Sequence, residues 1–339
     1  MIEKIPFIIA EMSGNHNQSL ERALTIVDAA ADAGVDAVKI QTYTADTMTI
    51  DIDTGEFFIS DKDSLWKGET LYHLYEKAHT PWEWHKAIFE RCKERGIMGF
   101  STPFDDTSVD FLEDLGVPCY KIASFENVDL PLIRKVARTG KPIIASTGMT
   151  SVAELSDLVQ TVRENGCTDL TLLKCTSSYP ASPEGTNLRT IPHMRELFSC
   201  AVGLSDHTLG IGAAVASVAL GAVVIEKHFT LSRAEGGVDA AFSLEPAEMA
   251  QLVRECRTAA LALGAVSYER TEQEQKSLQF RRSLYVVEDM KAGDVFTEKN
   301  LRRIRPGMGL SPKYYDIILG KKANCNITRG TAVQWDLIE

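Results

Sequence analysis

Eight short runs rich in β-branched residues recur between positions 7 and 229, and the stretches between them carry apolar residues at helical spacing. The runs fall at 7–11, 36–42, 97–102, 119–124, 142–147, 170–176, 200–205 and 222–229. Helix patterns lie between them, among them "SLERALTIVDAAADAG", "TPWEWHKAIFERCKERG" and "SVAELSDLVQTVRENG". The first and third open on a serine suited to N-capping, and all three end at glycine. Eight strands, each followed by a helix over roughly 250 residues, match an α/β (β/α)8 TIM barrel. A doubly wound open sheet is the rival. It wants a glycine fingerprint after the first strand, and "EMSGNHNQ" is not GxGxxG.

Two departures from a bare barrel stand out. After the second strand, residues 43–84 form a connection far longer than the usual few-residue βα loop. On a barrel such a loop sits on the catalytic face, so we expect it to act as a lid or to touch substrate, with a surface excursion as the plain alternative. Past the barrel, assigned to 1–262, residues 263–280 are polar and helix-like and read as a linker. Residues 281–339 change texture to short strands broken by "KAGD" and "TRGT" turns, a small β-rich domain.

Composition excludes several classes. A net charge of −11 argues against general nucleic-acid binding, which needs a basic surface. No apolar run approaches the ~20 residues of a membrane span. The first residues lack the basic segment and cleavage site of a secretory signal, so a cytoplasmic enzyme is expected. Seven cysteines, odd in number and without a CxxC pair, read as reduced residues and argue against structural zinc.

Polar or reactive residues stand at the C-terminal end of every proposed strand, and in a barrel these ends converge on one mouth. They are Glu11; Lys39 and Gln41; Thr102; Lys121, Ser124 and Glu126; Ser146; Ser177 and Tyr179; Ser205 and His207; Glu226 and His228. Lys39 and Lys121 lie within apolar strands, where an ammonium must be paired. They suit a phosphate, since hydroxyl donors on neighbouring strands (Thr102, Ser124, Ser146, Ser205) would share it. A Schiff base, or buried salt bridges to Glu11 or Glu126, are the other readings. His207 and His228 occupy matching exits of adjacent strands and can share one divalent metal in an open site, Mn2+ or Mg2+ rather than a closed zinc. The plain alternative is two hydrogen-bonded core histidines. Asp206 is expected to orient its loop. Asp239, in the glycine-bearing "GGVDAAFSLEP", is placed to bind hydroxyls.

The motifs "IAEMSGNHNQSL", "DAVKIQTY", "STPFD", "YKIAS", "KCTSSYP", "GLSDHT" and "IEKHFTL", in this order, resemble the sialic acid synthase family over essentially the full chain. The C-terminal part resembles the antifreeze-like (SAF, β-clip) module of that family. Within it, "LWKGETLYHLYEKAHTPWEWH" and "HFTLSRAEGGVDAAFSLEP" look like the pseudaminic acid branch, whereas N-acetylneuraminate synthases tend to read "AEIG-NH-G" at the first motif. The resemblance implies metal-dependent condensation of phosphoenolpyruvate with an amino-sugar aldehyde, Mn2+, Mg2+ or Co2+ serving as the metal. Lys39, Thr102, Lys121, Ser124, Ser146, Ser177 and Ser205 would hold phosphoenolpyruvate. Gln41, Glu126, Tyr179, Glu226 and Asp239 would address the sugar, and Glu11 would handle the proton of an attacking water. It also implies a domain-swapped homodimer, in which Arg305 of "IRPGMG" reaches the substrate's N-acyl group in the partner's barrel. N-acetylneuraminate or legionaminate synthesis, a Schiff-base pyruvate aldolase, and a carbohydrate- or ice-binding protein are the rivals.

Overall fold

Strand β1 (Phe7–Glu11) pairs in parallel with both β2 (Ala37–Thr42) and β8 (Val224–His228), which closes the sheet on itself. Between them run β3 (Met98–Pro103), β4 (Tyr120–Ile122), β5 (Ile143–Ser146), β6 (Leu170–Cys175) and β7 (Ala201–Asp206), in sequence order around the barrel. The closed ring of eight parallel strands is the (β/α)8 architecture, and the open doubly wound sheet is excluded. The computed structural model describes residues 5–61 and 66–339, so part of the long connection after β2, residues 62–65, lies outside the described residues. Among the described residues, no helix is long and apolar enough to cross a membrane.

Local signals set the outer helices. Ser19 accepts the backbone N–H of Arg22 at the start of helix Leu20–Asp32. Ser151 and Glu154 exchange side-chain and backbone bonds in a capping box at the start of Val152–Glu164. Each satisfies N–H groups that a helix start otherwise leaves orphaned, worth about 1 kcal/mol per cap. The apolar faces of these helices pack on the outward side chains of the strands, with Ile8, Val38, Ile122, Leu172 and Ile225 in one continuous core.

The inside of the barrel is built by the two-residue alternation of strand side chains. At its N-terminal end Ile9, Ala37, Phe100, Cys119, Ile144, Leu173 and Val224 make an apolar floor. Gly203 completes it, because a Cβ there would strike the Val224 carbonyl oxygen and come within 2.7 Å of Leu173 Cδ2. The close approach of the β8 backbone therefore requires a glycine on β7. Two residues further along each strand, the inward positions turn polar.

The chain divides into two compact units, Met1–Gly264 and Ala265–Glu339. The second carries an antiparallel pair, β9 (Ser283–Val286) with β10 (Leu301–Ile304), joined by isolated bridges. It has its own core of Leu284, Val286, Phe296, Leu301, Ile318 and Val333. The cysteines of the chain are all free thiols.

Candidate active site

Directly above the floor, the next inward layer reads Glu11, Lys39, Thr102, Lys121, Ser146, Cys175, Ser205 and Glu226. The layer above supplies Ser13, Gln41, Ser177, His207 and His228 at the barrel mouth. All but Thr102 line one cavity of about 580 Å³, together with Ser124, Glu126, Tyr179 and Asp239. Thr102 is fully buried beneath it: the Lys39 ammonium donates to its hydroxyl at 3.1 Å, so Thr102 orients the lysine. Arg305 is an exposed residue of the second unit, immediately after β10.

Two cations and two carboxylates are interleaved in the polar layer. Lys39 Nζ lies 2.7 Å from Glu11 Oε2, and Gln41 donates to Glu11 Oε1 at 2.8 Å. Lys121 donates to Ser146 Oγ at 2.6 Å, and its carboxylate neighbour is Glu226, at 3.8 Å. The anticipated pairing of a strand lysine with Glu11 is therefore found, whereas Glu226 takes the place anticipated for Glu126. Ser205 donates to Glu226 Oε1 at 3.1 Å. Burial pushes Lys121 below the ordinary lysine range. For Lys39 burial acts in the same direction but is outweighed by Glu11 and Glu226, which hold it above. Burial also raises Glu11, although Lys39 opposes it. Glu126, desolvated and without an ion-pair partner among the described residues, is pushed up to about 7.

The two imidazoles stand with ring centroids 5.3 Å apart. His207 Nδ1 lies 2.9 Å from the Thr176 carbonyl, which holds a proton on that nitrogen and leaves Nε2 as the atom that can bind a cation once the ring is neutral. Burial, reinforced by the charge of His207, keeps the His228 pKa well below its usual value, so this ring is neutral. Its Nδ1 has no hydrogen-bond partner among the described residues, and Asp239 Oδ2 stands 3.7 Å away. Tyr179 packs on His207 and Phe242 on His228, fixing both ring planes. Glu226 Oε2 and Glu126 Oε2 are likewise buried without partners among the described residues. Unsatisfied polar atoms cost about 1–3 kcal/mol each, and a cluster of them in one cavity is the signature of a site completed by a ligand. Two facing imidazoles beside carboxylates fit a divalent cation held by few protein ligands: His228 is held neutral by burial, and a cation displaces the proton that Cys175 and Thr176 favour on His207. Among the described residues no group of three or more His, Cys, Asp or Glu closes around one point.

Sequence reasoning missed two features. Cys175 lines the cavity, and alternation from floor residue Leu173 would have found it. Ser13 lines it too, through a backbone conformation that the sequence does not announce. The long connection after β2 provides an apolar wall from Tyr43, Met48, Ile59, Leu71, Leu74 and Tyr75, and Trp66 Nε1 donates to the Val238 carbonyl across the mouth. The connection expected to form a lid thus contacts the cavity directly.

Comparison with known proteins agrees with this geometry. The NeuB family model matches residues 26–268 and the SAF domain model residues 281–339. A pseudaminic acid synthase from Campylobacter jejuni is 45% identical over 332 residues, covering 98% of this chain and 96% of that protein. One from Helicobacter pylori is 42% identical over 338 residues, covering 98% of each. The crystal structure of an N-acetylneuraminic acid synthetase from Leptospira borgpetersenii superposes with a TM-score of 0.72 at 32% identity, over 82% of this chain and 92% of that one. A closed eight-stranded barrel with a polar mouth, followed by a SAF domain and matched by near-full-length synthases, establishes that this chain is an enzyme belonging to the NeuB family.

Proposed function

We propose that this enzyme condenses phosphoenolpyruvate with 2,4-diacetamido-2,4,6-trideoxy-L-altrose and water, giving pseudaminic acid and phosphate. The observation that carries the reading is the division of one cavity into two chemically distinct ends. Just above the floor, two ammonium groups, each beside a carboxylate (Glu11 or Glu226), stand among hydroxyl donors, which suits the phosphate and carboxylate of phosphoenolpyruvate. Near the mouth, carboxylates and an amide face an apolar wall, which suits a sugar bearing amides, a 6-methyl group and acetyl methyls.

In this reading Lys39 and Lys121, with Ser124, Ser146, Ser177 and Ser205, hold phosphoenolpyruvate, and Thr102 orients Lys39. C3 of phosphoenolpyruvate attacks the sugar's C1 aldehyde, forming the carbon–carbon bond and leaving a cation at C2. Water adds at C2, Glu11 takes its proton, and the tetrahedral species expels phosphate by C–O cleavage. Burial raises the Glu11 carboxyl above its ordinary range, opposed by Lys39, which makes its carboxylate a stronger proton acceptor. Gln41, Glu126, Tyr179, Glu226 and Asp239 contact the sugar. His207 and His228 would hold a divalent cation, Mn2+ or Mg2+, whose Lewis acidity polarises a carbonyl oxygen. Arg305 is assigned to the N-acyl group of a sugar bound in a second copy's barrel, within a domain-swapped homodimer.

The test is phosphate release from phosphoenolpyruvate with three sugars: the altro-configured diacetamido sugar, its manno-configured isomer, and N-acetylmannosamine. Preference for the first is expected. Faster turnover of either other sugar reassigns the enzyme to legionaminate or N-acetylneuraminate synthesis. Borohydride trapping of a pyruvate adduct on a lysine would replace the mechanism with a Schiff-base aldolase.

A further inference from the structure

Ser13 has φ of +47°, in the left-handed region that β-carbon-bearing residues other than Asn and Asp rarely adopt. Asn17 and Gln18 share this region, at +50° and +53°, so the connection leaving β1 is strained through several residues. Strain of this kind persists only where the surroundings fix it. Here Gly14 is pressed against the helix Leu71–Ala78: a Cβ on it would lie 3.2 Å from the Ala78 Cα and carbonyl oxygen. The backbone at Ser13 is therefore clamped between β1 and the connection that forms the apolar wall.

The conformation aims the Ser13 side chain into the cavity, where it is 4% exposed. Its hydroxyl donates to Asp239 Oδ2 and accepts from Gln41 Nε2 at 3.2 Å. The same amide donates to Glu11 Oε1 at 2.8 Å. One hydroxyl thus links β1, β2 and the segment after β8 into a chain running from Gln41 through Ser13 to Asp239. Its one proton is committed to Asp239 and one of its lone pairs to Gln41, which fixes the orientation of the hydroxyl.

We propose that Ser13 is a positioning residue for sugar recognition, fixing Asp239 and Gln41 as one rigid constellation. The inference rests on the sugar-binding reading above, and it concerns the sugar half of the cavity alone. Ser13 hydrogen-bonds to neither Lys39 nor Lys121, so phosphoenolpyruvate binding is expected to change little without it. A glycine here would fit the backbone better and lose the link. A serine held at positive φ is the expected trace of a hydroxyl that does work in the site.

The experiment compares wild type with Ser13→Ala and Ser13→Gly, in the full-length metal-loaded enzyme, using whichever of the three sugars wild type turns over fastest. Both variants are expected to raise the sugar KM at least tenfold while the phosphoenolpyruvate KM stays within twofold. Ser13→Gly should melt no lower than Ser13→Ala, because glycine relieves the backbone while both lose the hydroxyl. Adding Ser13→Ala to Asp239→Asn should raise the sugar KM no further than Asp239→Asn alone, as expected for groups acting as one unit. A sugar KM within twofold of wild type in both variants, or a phosphoenolpyruvate KM that moves equally, overturns the proposal and leaves the proposed function standing. A wild-type enzyme that turns over none of the three sugars overturns both.

Discussion

Asp206 and Lys227 are register partners across β7 and β8, with Lys227 Nζ 2.7 Å from Asp206 Oδ2 and both side chains almost wholly buried. Alternation places them on the outer face of the sheet, behind the two imidazoles, since His207 follows Asp206 and His228 follows Lys227. Asp206 Oδ1 also accepts from the Thr208 backbone N–H at 2.9 Å and from its hydroxyl at 2.8 Å. The Lys227 ammonium donates to the Thr208 carbonyl. The pair braces the turn after His207 against the strand that carries His228.

Breaking this brace from one side leaves an uncompensated buried charge, which costs about 3–5 kcal/mol. Asp206→Asn and Lys227→Met should each lower stability in urea unfolding by that order, and the double variant should recover much of the loss. Single variants as stable as wild type would show that the charges find other partners.

The brace also marks what the sequence could and could not disclose. "SDHT" and "EKHF" displayed His207 and His228, and reading alternate residues inward places Ser205 and Glu226 with them. The same alternation sends Asp206 and Lys227 outward, so their pairing depends on strand register across β7 and β8, which no local pattern states. Barrel closure was legible because eight strand–helix repeats are a property of the chain itself. Ser13 was not, since its role comes from a positive φ and a partner 226 residues away. Thr102 was picked out by its strand-end position, but a lysine long enough to reach across the layer lies over it.

Glu126 makes stability pH-dependent. Its carboxyl has an ordinary pKa of 4.5, and desolvation raises it to about 7 in the folded protein. Between those values the folded state binds more protons than the unfolded chain, so stability falls as pH rises through the window. The penalty is complete above about pH 7 and amounts to up to about 3 kcal/mol. Glu126→Gln should therefore stabilise the protein more at pH 8 than at pH 5, measured by urea unfolding at both. An equal effect at the two pH values would place the carboxylate in water.

Replacing Glu11 tests the proton transfer. Glu11→Gln preserves the shape and the bond from Gln41 but removes the base, so turnover should fall by about 100-fold or more. Phosphoenolpyruvate KM should stay nearly unchanged, because Lys39 keeps Thr102 and the field of Glu226. A fully active Gln variant would remove Glu11 from the mechanism.

Chelation should abolish activity, and Mn2+ or Mg2+ should restore it. Binding of Mn2+ followed directly by paramagnetic resonance should weaken at least tenfold in His207→Ala and in His228→Ala. Unchanged Mn2+ binding in either variant would make that histidine a core residue.

The SAF domain provides the sharpest test of assembly. A chain ending at residue 280 keeps the barrel unit's core and should fold but not turn over. In the full-length protein Arg305→Ala should raise the sugar KM while sparing phosphoenolpyruvate. If Arg305 completes the partner's site, mixing Arg305→Ala with Glu11→Gln subunits restores activity. Half of the randomly formed dimers are then mixed, and each holds one barrel with Glu11 served by an intact Arg305. About a quarter of the wild-type sites should therefore reappear. No recovery after verified subunit exchange would mean that Arg305 serves its own barrel or none, and the domain swap would fall.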